Sequence, residues 1–301
     1  PLAYGSGSQA ERAFGLSTQG SLGWLGDHAR RLLFWIPVTA ALAAGFLACL
    51  ARWPRRGWRA GAGAGIVIMI AGVFLAPRIV DPLFHDFTPL SDPALTREIR
   101  GLGARAGLDI NRVMVMDASR RTSRPNAYVT GIGATRQVVL YDTLLEQTPR
   151  GELRVVIAHE LAHAARGHVG RGIAWAALGI LAAAWALSGL ARWQARIDPL
   201  IAGPGDPAGL PLLWLAFSLG LFATSPLQSG LSRAMEAEAD WAALELTRDP
   251  AHYLAMQRRL SRANLEPVAP PGWIVTWLYT HPPIGERLAM ASRWRAERAR
   301  P

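Results

Sequence analysis

Charge is missing from four long stretches of this chain, and that absence restricts the fold more than any motif does. No acidic or basic residue lies between Arg31 and Arg52, Arg59 and Arg78, Arg171 and Arg192, or Asp206 and Arg233. Each gap matches the roughly 20 apolar residues with which a helix crosses a bilayer. The gaps predict spans over about 32–51, 60–77, 172–191 and 208–228. Composition agrees: charged residues make up 18% of the chain, against about 25% in soluble domains. A purely soluble enzyme, a disordered chain and a disulfide-stapled secreted module are excluded.

The formal net charge of +10 is carried by arginine, with no lysine in the chain. Many arginines flank the apolar runs and the rest are scattered through polar segments. No zinc-finger, helix-turn-helix or RNA-reading aromatic pattern accompanies them, so the basic partner is the bilayer and not nucleic acid. The single cysteine, Cys49, lies inside the first apolar run and allows no internal disulfide. The first residue is Pro1, which predicts an amino-terminally truncated chain.

Polar blocks alternate with the spans. Residues 1–31 form a glycine-rich lead-in, 32–82 a first membrane helix pair, 83–170 a polar segment, 171–228 a second pair, and 229–301 a polar tail. Within 83–170, Ala94–Ala106 has helical spacing and Arg112–Asp117 alternates as a strand. Asn126–Gly131 and Gln137–Leu140 read as two further strands, the first running into a Gly-Ile-Gly turn. From Gly151 the pattern is helical and continues through His168. The tail predicts a helix from Ser232 to Arg262, a proline-rich loop over Glu266–Gly272 and a last helix starting at Pro282.

The strongest chemical signal is Val156-Ile157-Ala158-His159-Glu160-Leu161-Ala162-His163. Residues four apart share a helix face, so His159 and His163 can reach one metal ion with Glu160 beside them. Two neutral imidazoles and one carboxylate leave zinc a fourth position for water. The ion lowers that water's pKa toward ~7, and an adjacent glutamate can take its proton during attack on a peptide carbonyl.

A third ligand is needed. His168 follows His163 by five residues, which on a continuing helix turns it about 140° off the metal face. A carboxylate from a later helix is the better candidate, and Met235-Glu236-Ala237-Glu238-Ala239-Asp240 offers three. Glu236 and Asp240 share a face while Glu238 points roughly opposite. One of the first two can ligate the metal and the other can hydrogen-bond a ligand histidine. The interleaved alanines point to close helix packing. Two spans separate His163 from these acids, and an even number of crossings returns the chain to the same side of the membrane.

With these motifs the chain resembles the membrane-embedded zinc metalloproteases of the CAAX prenyl protease 1 (type I CAAX endopeptidase) family. The similarity extends to Phe14-Gly15-Leu16-Ser17-Thr18-Gln19, to Pro82-Leu83-Phe84 with Phe87-Thr88-Pro89-Leu90, to the edge strand Pro125–Gly131, and to Val138–Leu145. It implies a mainly α, multi-pass membrane protein whose gluzincin-like zinc-helix unit, with a small β-sheet, lies between the membrane helix pairs. It further implies one Zn2+ per chain on His159, His163 and Glu236. Asp240 becomes the acid behind the ligands, also described as a proton donor. His281 and Arg287, in His281-Pro282-Pro283 and the following helix, become stabilisers of the tetrahedral intermediate. A histidine donor there can hold the developing oxyanion, and Arg287 can orient it or an adjoining carboxylate. Asn126 lies on a strand that can pair with an extended substrate.

The expected activity is membrane-bound zinc endopeptidase on a peptide or protein substrate, membrane-associated or lipidated proteins included. A quality-control protease for damaged membrane proteins uses the same chemistry, and a catalytically silent scaffold has no need of all four of His159, Glu160, His163 and Glu236. Arginine counts on the two sides are close to a tie. The family resemblance places the catalytic side in the cytosol, here that of a bacterial inner membrane.

Overall fold

The computed structural model describes residues 9–299, so the first eight residues of the predicted lead-in lie outside it. In chain order the elements are α1 (Gln9–Ala13), α2 (Ser21–Arg52), α3 (Gly57–Ile79), β1 (Phe87–Pro89), α4 (Pro93–Arg105), β2 (Arg112–Met116), β3 (Ala127–Thr130), β4 (Gln137–Tyr141), α5 (Asp142–Gln147), α6 (Arg150–Ala165), α7 (His168–Ile197), α8 (Leu210–Thr247), α9 (Pro250–Ala263), α10 (Gly272–Leu278) and α11 (Ile284–Arg298). The chain is mainly helical, and two compact units emerge from it.

One unit comprises Leu25–Ile79 and Gly170–Ser225. Among the described residues, four helices are long and apolar enough to cross a membrane, and this unit contains α3, most of α2 and α7, and the first part of α8. Its buried apolar residues are few: a small cluster of Leu47, Leu50, Ala191 and Leu213, and scattered ones such as Ala62 and Ala184. Large side chains such as Leu33, Val67, Trp185 and Phe222 instead face outward. That inversion suits lipid, in which helices satisfy their own backbone and expose apolar side chains at no cost. The spans are longer than their charge-free cores predict: α2 begins at Ser21 and α7 at His168.

The other unit comprises residues up to Trp24, Val80–Val169 and Pro226–Pro301. Its sheet has the order β1-β2-β4-β3, with β2 and β4 parallel and the other pairs antiparallel. Val138, Val139 and Leu140 on β4 are all fully buried, as expected of a central strand covered on both faces. The β3–β4 connection turns at Gly131, where φ is +83° and a Cβ would stand 2.2 Å from the Thr135 carbonyl oxygen. β3 is an edge of this sheet and packs along α6. Residues of the lead-in join the same unit: Ser17 bridges to Thr122, and the Thr18 hydroxyl donates to the Ser119 carbonyl.

Two helices that the sequence reading runs together are broken in the structure. The helix beginning near Gly151 does not continue through His168. It ends at Ala165, Gly167 adopts φ +64°, and His168 starts α7. The left-handed conformation there is one that glycine adopts without a Cβ penalty. The predicted helix over Ser232–Arg262 is likewise two pieces, α8 and α9. Arg248 takes φ +52°, and the Asp249 side chain then caps α9 by accepting from the His252 amide, with Pro250 in its first turn.

Candidate metal centre

Helix α6 is apolar around nearly its whole circumference. Leu153, Val155, Val156, Ile157, Ala158 and Leu161 are buried, so the helix is fixed on all sides and its polar residues have little freedom. His159 and His163 project one turn apart, with ring centroids separated by 4.8 Å and their Nε2 atoms by 3.1 Å. Helix α8 comes alongside. Ala162 of α6 and Ala239 and Ala242 of α8 form one buried cluster, and methyl-sized contacts let the backbones approach closely. The alanines between the acids therefore serve packing, as their spacing predicts.

That approach delivers Glu236. Its Oε2 lies 3.3 Å from His159 Nε2, and its Oε1 lies 3.4 Å from His163 Nε2. Among the described residues, one group of at least three His, Cys, Asp or Glu side chains can hold a metal ion, and it is His159, His163 and Glu236. The Oε2 atom is buried without a well-formed hydrogen bond, which is costly unless a cation or another donor faces it.

Asp240, one turn further along α8, sits behind the histidines and is fully buried. Its Oδ1 is 3.0 Å from His159 Nδ1 and accepts from Gln257 at 3.3 Å. Arg287, on α11 and only 9% exposed, donates to both Asp240 oxygens at 2.7 Å. Asp240 and Arg287 thus form a buried pair that grips the back of His159.

His281 approaches from the front. Residues before proline favour extended backbone, and Pro282-Pro283 hold this histidine outside α11. Its ring is half exposed and its Nε2 is 3.3 Å from Glu236 Oε2. The segment is tethered to α8, since Arg233 donates to the carbonyls of Val275 and Tyr279 at 2.7 and 2.8 Å. Asn126 is exposed at the start of β3, where its side chain accepts from the Ala127 amide.

Burial and charge set the protonation of the group. Burial opposes a charge on His159, but hydrogen bonding to Asp240 and Glu236 outweighs it and pushes the pKa up to about 10. His163 is pushed down to about 4, by burial first and then by the charge on His159. Glu160 is pushed up to about 7 by burial and by the charge of Glu236, against the pull of His159 and Arg287. A cluster that keeps a proton on one imidazole between carboxylates is one that rewards a cation.

The sequence reading missed three contributors. His168 and Glu238 form a hydrogen-bonded chain to the back of His163, and Arg233 fastens the His281 segment. Arg233 carried only the signal of a charge at the end of an apolar run.

A chain with several apolar membrane helices, a two-histidine helix and a converging carboxylate defines the class of membrane-spanning metalloproteases. The comparisons make this specific: residues 89–295 match the model of peptidase family M48, and the chain belongs to that family. It is 31% identical over 292 residues to the metalloprotease YhfN of Bacillus subtilis, covering 95% of this chain and 68% of that protein. It is also 30% identical over 170 residues to CAAX prenyl protease 1 of Saccharomyces cerevisiae and 31% identical over 231 residues to the homolog from Arabidopsis thaliana. Those matches cover 56% and 74% of this chain, which spans 38% and 53% of the two relatives. The crystal structure of S. mikatae Ste24p superposes with a TM-score of 0.87 at 25% identity, covering 97% of this chain and 71% of that one.

Proposed function

We propose that the chain is a zinc endopeptidase that holds one Zn2+ on His159, His163 and Glu236 and uses Glu160 as general base. The spacing of the three donor groups carries the reading. Donors about 2.0–2.1 Å from a tetrahedral zinc ion stand about 3.3–3.4 Å apart. The contacts here are 3.1 Å between the imidazoles, 3.3 Å from Glu236 to His159 and 3.4 Å from Glu236 to His163. The donor set, two imidazoles and one carboxylate, is the kind that leaves a position open for water. When bound, zinc supplies Lewis acidity and lowers the pKa of a water it carries.

The remaining steps belong to side chains. Glu160, with a proton affinity matched to neutral pH, accepts a proton during attack and returns it to the leaving amine. His281 beside Glu236 donates a hydrogen bond to the oxygen on which charge develops. Asp240 and Arg287 act as positioning residues, fixing the ring of His159. Asn126 and the β3 edge hold the substrate extended by backbone pairing.

The substrates we propose are peptides or proteins at the membrane, lipidated ones included, since the chain resembles proteins named CAAX prenyl proteases. The catalytic segments, 83–170 and 229–301, face the cytoplasm of a bacterial inner membrane. Zinc analysis combined with cleavage of a prenylated peptide tests the reading. Wild type binds one zinc and cleaves. Glu160→Gln keeps the zinc and loses at least ~100-fold in rate, and Glu236→Ala loses the zinc. Wild-type activity in Glu160→Gln, or zinc retained by Glu236→Ala, overturns the assignment.

A further inference from the structure

We propose that His168 and Glu238 position the ligand His163, as a hydrogen-bonded relay that fixes which of its nitrogens carries the proton. The inference rests on the zinc reading above. His168 is 5% exposed, and its Nδ1 lies 2.8 Å from His163 Nδ1. Its other nitrogen, Nε2, lies 3.1 Å from Glu238 Oε2. The two rings stand nearly edge to face, with centroids 4.9 Å apart.

One arrangement of protons satisfies every contact with neutral imidazoles and an ionised carboxylate. His163 Nε2 faces the other two donor groups, 3.1 Å from His159 Nε2 and 3.4 Å from Glu236 Oε1, so coordination requires a lone pair there. Its proton then sits on Nδ1 and is donated to His168 Nδ1. That contact leaves the proton of His168 on Nε2, where it is donated to Glu238. The carboxylate is an acceptor only, and it gives the chain its direction.

The two ligand histidines are therefore treated alike. His159 turns its Nδ1 to Asp240 directly. His163 reaches a carboxylate through a second imidazole. Such partners orient ligand imidazoles and raise their basicity, and losing one typically costs 10–100-fold in metal affinity. His168 itself is no ligand, since both of its nitrogens are engaged on the side of His163 away from Glu236. Its placement depends on the Gly167 break. On an uninterrupted helix it would have turned away, but the left-handed residue returns it beneath His163.

The test is zinc affinity, read by competition with a chelating indicator on the whole membrane protein in detergent, alongside the absorption spectrum of the Co2+-loaded protein. His168→Phe keeps a buried ring but removes the acceptor, and Glu238→Leu removes the end of the relay. Glu238→Gln restores a hydrogen-bond acceptor without the charge. We expect wild type to bind one zinc, His168→Phe and Glu238→Leu to bind it 10–100-fold more weakly with altered Co2+ bands, and Glu238→Gln to fall between. Glu238 is 40% exposed at its side chain, so its variants carry the test if His168→Phe fails to fold. Affinities of both Glu238 variants within twofold of a zinc-binding wild type overturn the relay and leave the ligand assignment standing. A wild type that binds no zinc overturns both.

Discussion

Removing Arg287 takes from a buried carboxylate the cation that grips both of its oxygens. Asp240 is fully buried, and Arg287 meets it with two 2.7 Å hydrogen bonds from a guanidinium that is itself 9% exposed. Opposite charges about 4 Å apart attract by about 4 kcal/mol at an effective dielectric constant near 20. Breaking a buried pair from one side costs about 3–5 kcal/mol, because the partner stays desolvated. Arg287→Met preserves side-chain volume and should cost that much. At about 2–4 °C per kcal/mol, the scale for chains of 150–250 residues, its Tm should fall by roughly 6–20 °C. The measurement belongs on metal-free protein, so that weakened metal binding adds nothing to the shift. The double variant Asp240→Asn with Arg287→Met has no stranded charge and keeps an amide oxygen for His159. It should recover at least ~2 kcal/mol relative to the sum of the single variants. A Tm within about 2 °C of wild type for Arg287→Met, or strict additivity, would refute the argument.

Three further outcomes follow from the same geometry. With its pKa pushed up to about 10 in the metal-free site, His159 is protonated at pH 7. Metal must displace that proton, so calorimetry in buffers of different ionisation enthalpy should show about one proton released and an affinity rising about tenfold per pH unit from 6 to 8; zero release would contradict it. Gly167→Ala meets no steric obstacle but forces a left-handed alanine, costing about 1–2 kcal/mol. It should lower both Tm and zinc affinity, and an unchanged affinity would show that the break does not matter to the site. For orientation, Ser119→Cys in a Cys49→Ser background should resist an impermeant thiol reagent in intact cells and react after lysis; labelling of intact cells would reverse the assignment.

What the sequence makes legible here is what depends on neighbours in the chain. Charge-free runs mark the four spans, alternation marks β2–β4 within a residue or so, and the four-residue spacing of His159 and His163 is a local property of a helix. The family resemblance picks Glu236 from three acids whose helical faces only narrow the choice. The break at Gly167 carries a local signal, a glycine directly after a basic helix end, which the helical reading from Gly151 overrides, and one dihedral angle decides where His168 goes. The face argument for Glu238 is sound as far as it reaches, since that side chain does turn from the donor group. It fails to say what the other face meets, and there it meets His168. The end of α8 was more accessible: Asp249-Pro250 is a helix-start signal, and it lies inside what the periodicity alone joins into one helix.

The donors of the candidate metal site are scattered along the order of synthesis. The first two imidazoles belong to α6, the carboxylate to the later part of α8, with α7 between them, and His281 and Arg287 to the last stretch of the chain. A ribosome that has made the chain only as far as α6 has made two histidines with no third donor and no arginine to neutralise the back of the group. On the ligand assignment proposed here, a growing chain is chemically silent while its own unfolded segments are closest at hand. Competence arrives late, when α8 and α11 pack against a helix that has been waiting for them.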